Sequence, residues 1–173
     1  KVTQSSSTGW LDVFGADSTG SPTLPSFTYV KDNVDYPKPA TNLFRMFTLL
    51  PGSRKAATVS SSLPAVRAFG SGSDSAAAVI AFNNFQDLAS TQSIRPGFGN
   101  LPFSGSVTVE RYLIDTGTSN VAKYIDAGQT PDLADSSLTM VESYQASVDQ
   151  GKLLLDARTL GPAAVTMWVV RRN

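Results

Sequence analysis

SVTVERYLIDTGTSN, residues 106–120, decides how the chain is read. Side chains alternate along a strand with a period of two, so Val107, Val109, Arg111, Leu113 and Asp115 share one face and Thr108, Glu110, Tyr112 and Ile114 the other. Neither face is purely apolar. At Asp115 the alternation stops, and Thr116-Gly117-Thr118-Ser119-Asn120 supplies short hydroxyl and amide groups that bond nearby backbone and hold a loop or cap a helix. In the following Ser119-Asn-Val-Ala-Lys-Tyr-Ile-Asp-Ala-Gly128, Val121, Tyr124 and Ile125 fall at helical spacing. About two turns are expected there, with Ser119 as N-cap and Gly128 as terminator.

Outward from this strand, nearly everything after Gly52 reads as strand: 54–59, 65–70, 76–83, 106–115, 138–147, 152–160 and 163–171. The turns between them are explicit at 70–75 (GSGSDS), 149–151 (DQG) and 160–162 (LGP). In the last strand Val165, Met167, Val169 and Arg171 alternate with Thr166, Trp168 and Val170. The predicted fold is mainly β, an antiparallel sandwich of about seven to nine strands in two packed sheets. Trp168 and Tyr144 are expected in the core or in cross-strand pairs.

Before Pro51-Gly52 the pattern differs. Residues 1–38 are rich in Ser, Thr, Gly, Pro and Asp and hold no period, which reads as loop. PKPATNLFRMFTLLPG, residues 37–52, is a compact helix signal of about 11 residues, with Pro39 in the first turn and Leu43, Phe44, Met46, Phe47 and Leu50 as a wide apolar stripe. A helix this short is marginal alone and needs a surface to cover. The chain therefore divides into residues 1–51, a loop-rich segment with one helix, and 52–173, a β-sandwich.

Composition removes several functions. The 173 residues include 14 basic and 14 acidic side chains, so the usual footprint of a nucleic-acid or anionic-membrane binder is missing. Without cysteine or histidine the chain has no disulfide, thiolate chemistry, Ser-His triad or zinc site with N or S ligands. Asp12, Asp17, Asp32 and Asp35 lack the spacing of a calcium loop, and no cofactor is expected. No run approaches the roughly 18 apolar residues of a membrane span. Low charge with many Ser, Thr and Gly fits a secreted protein, and Lys1 reads as a processed or trimmed end.

YLIDTGTSN at 112–120, followed by a short helix and a glycine, resembles the C-terminal β-sandwich of glycoside hydrolase family 39, whose members include β-xylosidases and α-L-iduronidases. Upstream, WLDVFGADS (10–18) and then YPKPATNLFRMFTLLPG (36–52) resemble the last strand, loop and helix of that family's (β/α)8 barrel. The resemblance implies that residues 1–51 are the eighth βα unit, that a partner chain carries the rest of the barrel, and that the whole is a secreted retaining hydrolase acting on a carbohydrate substrate. It places Trp10 and Asp12 near the C-terminal end of a barrel strand, where this fold builds its sites, with Trp10 suited to stacking on a pyranose and Asp12 beside it as a substrate-binding residue.

The family's acid/base and nucleophile are glutamates near the ends of the fourth and seventh barrel strands, and no part of this chain matches either. Retaining hydrolysis needs two carboxyl groups about 5–5.5 Å apart. The only glutamates, Glu110 and Glu142, lie inside alternating strands and are expected on solvated sheet faces. No catalytic residue is assigned. The alternative is an autonomous β-sandwich that binds carbohydrate or protein without catalysis. An orphaned barrel unit would expose Leu43, Phe44, Phe47 and Leu50, and an autonomous module would not.

Overall fold

The computed structural model describes residues 28–60, 62–63, 65–83 and 90–173. The described residues form two compact units, one from 28–47 with Ile114–Thr139 and the other from within Thr48–Leu113 with Met140–Asn173.

In the first unit β1 (Thr28–Lys31) and β2 (Val34–Pro37) pair antiparallel. Asp32 and Asn33 join them with φ of 52° and 63°. A two-residue hairpin needs left-handed backbone at both turn positions, and short Asp and Asn side chains tolerate it. The expectation of loop is thus corrected over 28–37. Two four-residue strands are too short for an alternating pattern to declare itself, and the remainder of that expectation, 1–27, lies outside the described residues.

Helix α1 (Pro39–Thr48) forms where its signal lies, and its apolar stripe is turned inward only in part, at Met46, with Leu43 and Leu50 half-buried. Pro39, Ala40, Asn42 and Met46 are buried, while Phe44 is 54% and Phe47 38% exposed. Asn42 is inward because it has two partners there. Its Nδ2 donates to the carbonyls of Ser119 at 2.8 Å and Ser136 at 2.7 Å. Fully buried amides need such bonds.

Helix α2 (Ala122–Asp126) starts after Val121 without a side-chain cap, so Ser119 is not its N-cap. Ser119 takes φ +53°, and its Oγ accepts from the Thr139 amide at 2.9 Å, while Asn120 Oδ1 accepts from the Ala122 amide. Gly128 ends the helical stretch at φ +66°, with bonds from Gly128 N to Ile125 O and from Gln129 N to Tyr124 O. Helix α3 (Leu133–Ser136) is capped by Asp132, whose side chain accepts from Asp135 N.

The second unit is a lopsided sandwich. One layer is a six-stranded sheet in the order β3 (Ser53–Lys55), β4 (Val66–Gly72), β5 (Ala76–Asn83), β12 (Val165–Arg172), β8 (Gly105–Ile114), β9 (Thr139–Val148). The other consists of two short antiparallel ladders, β6 (Gln92–Ile94) with β11 (Arg158–Leu160) and β7 (Gly97–Phe98) with β10 (Leu153–Leu154). The strand expected over 152–160 is broken in two, because it pairs with a segment interrupted by Arg95-Pro96. Pro96 has no N–H for a ladder, and its carbonyl instead accepts from Leu155 N at 3.0 Å.

Between the layers Ile94, Leu153, Leu155 and Leu160 pack with Val107, Val109, Trp168 and Val170. Val165 through Val170 are all buried, so β12 is the central strand with both faces covered. The β4–β5 hairpin closes at Ser73, whose N–H donates to the Ala76 carbonyl at 2.8 Å and whose Oγ accepts from Ala76 N.

Gly52 opens β3 at φ +57°, and a Cβ there would sit 2.3 Å from the Gly72 carbonyl oxygen. Left-handed backbone alone costs a side chain about 1–2 kcal/mol, and relieving the clash moves β3 off β4. Gly52→Ala should lose at least about 2 kcal/mol in urea denaturation. Gly72→Ala, whose Cβ would meet Lys55 carbons at an ordinary 3.5 Å, should be close to neutral. Equal effects would show that the approach of Gly52 to Gly72 does not constrain the fold.

Candidate functional site

The strand that opens the reading carries a charge on its core-facing side. Arg111 is 7% exposed, between Val109 and Leu113 on that face. A buried guanidinium must have its donors met. Nε donates to Thr166 Oγ1 at 3.1 Å and Nη1 to Glu142 Oε1 at 2.6 Å, while the guanidinium carbon sits 5.6 Å from the centroid of the Trp168 ring. Thr166 Oγ1 in turn donates to the Tyr112 carbonyl at 3.0 Å. Glu142 also accepts from Arg158 Nε at 2.8 and 3.0 Å. The bond from Arg158, with that from Arg111, holds the Glu142 carboxyl below its ordinary value against the opposing effect of burial.

Glu142 is therefore not on a solvated face. It shares the core-facing side of the sheet with Arg111, and a carboxylate held by two arginines is a poor proton donor. Glu110 points the other way along β8, where its Oε2 accepts from Tyr112 Oη at 3.2 Å and lies 3.5 Å from Arg171 Nε. Burial, then Glu110, pushes the Tyr112 hydroxyl up. The sheet itself separates the two glutamates, so they do not flank one glycosidic bond as retaining hydrolysis requires.

The second unit holds a trough of about 950 Å³. It exists because the two short ladders do not reach across the six-stranded sheet, leaving part of β4 and β5 open. Ala68, Gly70, Ala77 and Val79 contribute to its floor, and their small side chains let it reach the backbone. Val59, Leu63, Phe98 and Leu101 line it as half-buried fringe of the hydrophobic core. Its volume and apolar lining suit binding of a small molecule or an extended segment. Among the described residues that line it, Lys55, Asp74 and Arg95 are the charged ones, and these supply no carboxylate pair for acid–base chemistry.

Trp10 and Asp12 lie outside the described residues, as does Asp17. Asp115 and Asn120 serve their own loop. Asp115 Oδ1 accepts from the amides of Gly117 at 2.8 Å and Thr118 at 2.7 Å, and Asn120 Nδ2 donates to the Asp115 carbonyl. Trp168 is buried and Tyr144 packs against the core, where burial pushes its hydroxyl up. Among the described residues no group of three or more acidic side chains is placed to hold a metal.

Two side-chain clusters come together only in the fold. Arg111 was legible as a charge on the Val107-Val109 face, a signal of a buried partner. In the first unit Lys123 pairs with Asp135, and Tyr124 Oη donates to the same carboxylate at 2.6 Å. That hydrogen bond pushes the Tyr124 hydroxyl up to about 12, and the bond from Lys123 holds Asp135 below the usual carboxylate range. This pair ties α2 to α3.

No protein-family model and no curated protein sequence matches the chain. Solved structures do. The GH39 enzyme of Xanthomonas axonopodis pv. citri superposes with a TM-score of 0.61 at 11% identity over 80% of this chain and 31% of that one. The bacterial orthologue of human α-L-iduronidase superposes at 0.64 with 9% identity, over 81% of this chain and 28% of that one. This chain has the fold of part of a family 39 glycoside hydrolase. It spans about three-tenths of the length of those enzymes.

Glu142 has a lowered folded pKa, so its contribution is present above the usual 4.5 and is lost as pH falls through the folded value. Glu142→Gln leaves Arg111 without its counter-charge and should cost about 3 kcal/mol at neutral pH. In urea denaturation across pH, that difference from the parent should shrink below pH 4.5. A constant difference down to the acid limit would deny Glu142 this role.

Proposed function

We propose that this chain is the accessory β-sandwich part of a secreted retaining glycoside hydrolase of the family 39 type, completing and supporting a catalytic (β/α)8 barrel carried by a partner chain. The observation that carries the reading is the shared fold, which extends over most of this chain and a minor part of each neighbour. The two neighbours are a GH39 enzyme and an iduronidase orthologue, which is the source of the proposed activity.

Two features of the chain support it. Its glutamates are engaged by Arg111, Arg158, Tyr112 and Arg171 on opposite sides of one sheet, so the catalytic carboxylates belong elsewhere. Helix α1 presents Phe44 at 54% and Phe47 at 38% exposure, one turn apart, as an apolar strip suited to packing on a neighbouring barrel helix. The chain's part in hydrolysis is then indirect, through the position of that helix and of the barrel wall carrying Trp10 and Asp12. The trough over β4 and β5 favours a second reading, an autonomous module that binds carbohydrate or protein without catalysis.

The test is to tag the chain in the cells that make it, isolate it with whatever it is bound to, and assay hydrolysis of a panel of aryl glycosides. Hydrolysis should accompany the complex and be absent from the purified chain alone. The double variant Phe44→Asp with Phe47→Asp should lose both the associated chain and the activity while the sandwich still unfolds cooperatively. Turnover by the chain alone, or a complex without glycosidase activity, would overturn the proposal.

A further inference from the structure

The six-stranded sheet has two unlike edges. At one end β3 is three residues long and carries Arg54 and Lys55, the short charged edge by which proteins avoid unwanted strand pairing. At the other end β9 runs ten residues, Thr139–Val148, with no lysine, arginine or proline. Its single charge, Glu142, is held by Arg111 and Arg158 and does not guard the edge. No residue of β9 has left-handed backbone. Met140 is 48% exposed, and Ser143, Gln145 and Ser147 are exposed. Among the described residues, β8 is the only strand paired with it.

We infer that β9 is an interaction edge that pairs antiparallel with β9 of a second copy of this chain about a two-fold axis, joining the two sheets into one. Three observations favour a second copy as occupant. The chain has no net charge, so copies do not repel at long range. Antiparallel pairing centred on Ser143 or Tyr144 sets Glu142 opposite Tyr144 or Ala146, never opposite another Glu142, so no like charges meet. The same registers put Met140, Glu142, Tyr144, Ala146 and Val148 of both strands on one side and Val141, Ser143, Gln145 and Ser147 on the other, so each side meets its own counterpart. Such strand addition gains backbone hydrogen bonds along the whole edge. It uses a different surface from α1 and does not depend on the proposed activity.

The experiment is sedimentation velocity of the 173-residue chain through a dilution series. The parent should show a concentration-dependent species of twice 18.3 kDa. Ser143→Lys with Gln145→Lys places like charges against each other in either register and should sediment as single chains, with an unchanged circular dichroism spectrum. Ser143→Glu with Gln145→Glu should do the same, and mixing the two variants should restore the double mass, which misfolded chains would not do. Phe44→Asp with Phe47→Asp should leave the parent dimer intact. A parent that stays at single-chain mass, a dimer indifferent to the lysine pair, a mixture that fails to associate, or a dimer lost with the α1 variants would each overturn the inference.

Discussion

One buried guanidinium sets the terms for the sandwich. Arg111 sits on the face of β8 that also presents Val107 and Val109 to the core, and every partner it needs comes from a different strand: Thr166 and Trp168 from β12, Glu142 from β9. Through Glu142 the network reaches Arg158 on β11, in the opposing layer. A group of this kind does not add much stability over an apolar core of the same shape, but removing one partner leaves a stranded charge costing about 3–5 kcal/mol. Its effect is on uniqueness, because only one register of β8, β9 and β12 supplies all the partners together. The surrounding aliphatic contacts provide the driving force, and Arg111 selects which packing they adopt.

The first unit has an uncharged counterpart in Asn42. A single amide bonds the loop at Ser119 and the end of α3 at Ser136, so the inner face of α1 is fixed by two hydrogen bonds as much as by Met46. This leaves the phenylalanines of α1 outward. The helix thus buries Pro39, Ala40 and Met46 around one polar contact and leaves Phe44 and Phe47 largely exposed. On β9, likewise, the one charge, Glu142, faces inward, in company with Tyr144, Ala146 and Val148.

Long regular elements were legible in the sequence because their patterns are long. β5 occupies 76–83 as read, and β8, β9 and β12 fall within two residues of expectation. The β1–β2 hairpin was not legible because four residues give no period. The break in the strand over 152–160 was hidden because its cause, Arg95-Pro96, lies some sixty residues earlier and acts only once the segments pair. Ser119 looked like a helix cap on local chemistry, yet its hydroxyl is taken by Thr139, twenty residues away. The candidate site was read least well for the same reason. Alternation put Glu142 on one side of a strand but could not show that two arginines from other strands converge there, and the trough depends on how far one layer reaches across another. The resemblance carried by residues 112–120 agreed with the fold, and the residues responsible turn out to bond their own backbone, which makes that motif a mark of architecture and not of chemistry.

A sandwich whose two glutamates are both engaged, and which shares its fold with a minor part of two glycoside hydrolases, is the basis for proposing that it supports a catalytic centre built elsewhere. Native mass spectrometry of the protein from its source, followed by denaturing mass analysis of the same sample, tests this most directly. The expected result is that this sequence is found with a (β/α)8 barrel of roughly 250 residues or more, in the same polypeptide or in an associated one. Assemblies composed only of 18.3 kDa chains would contradict it.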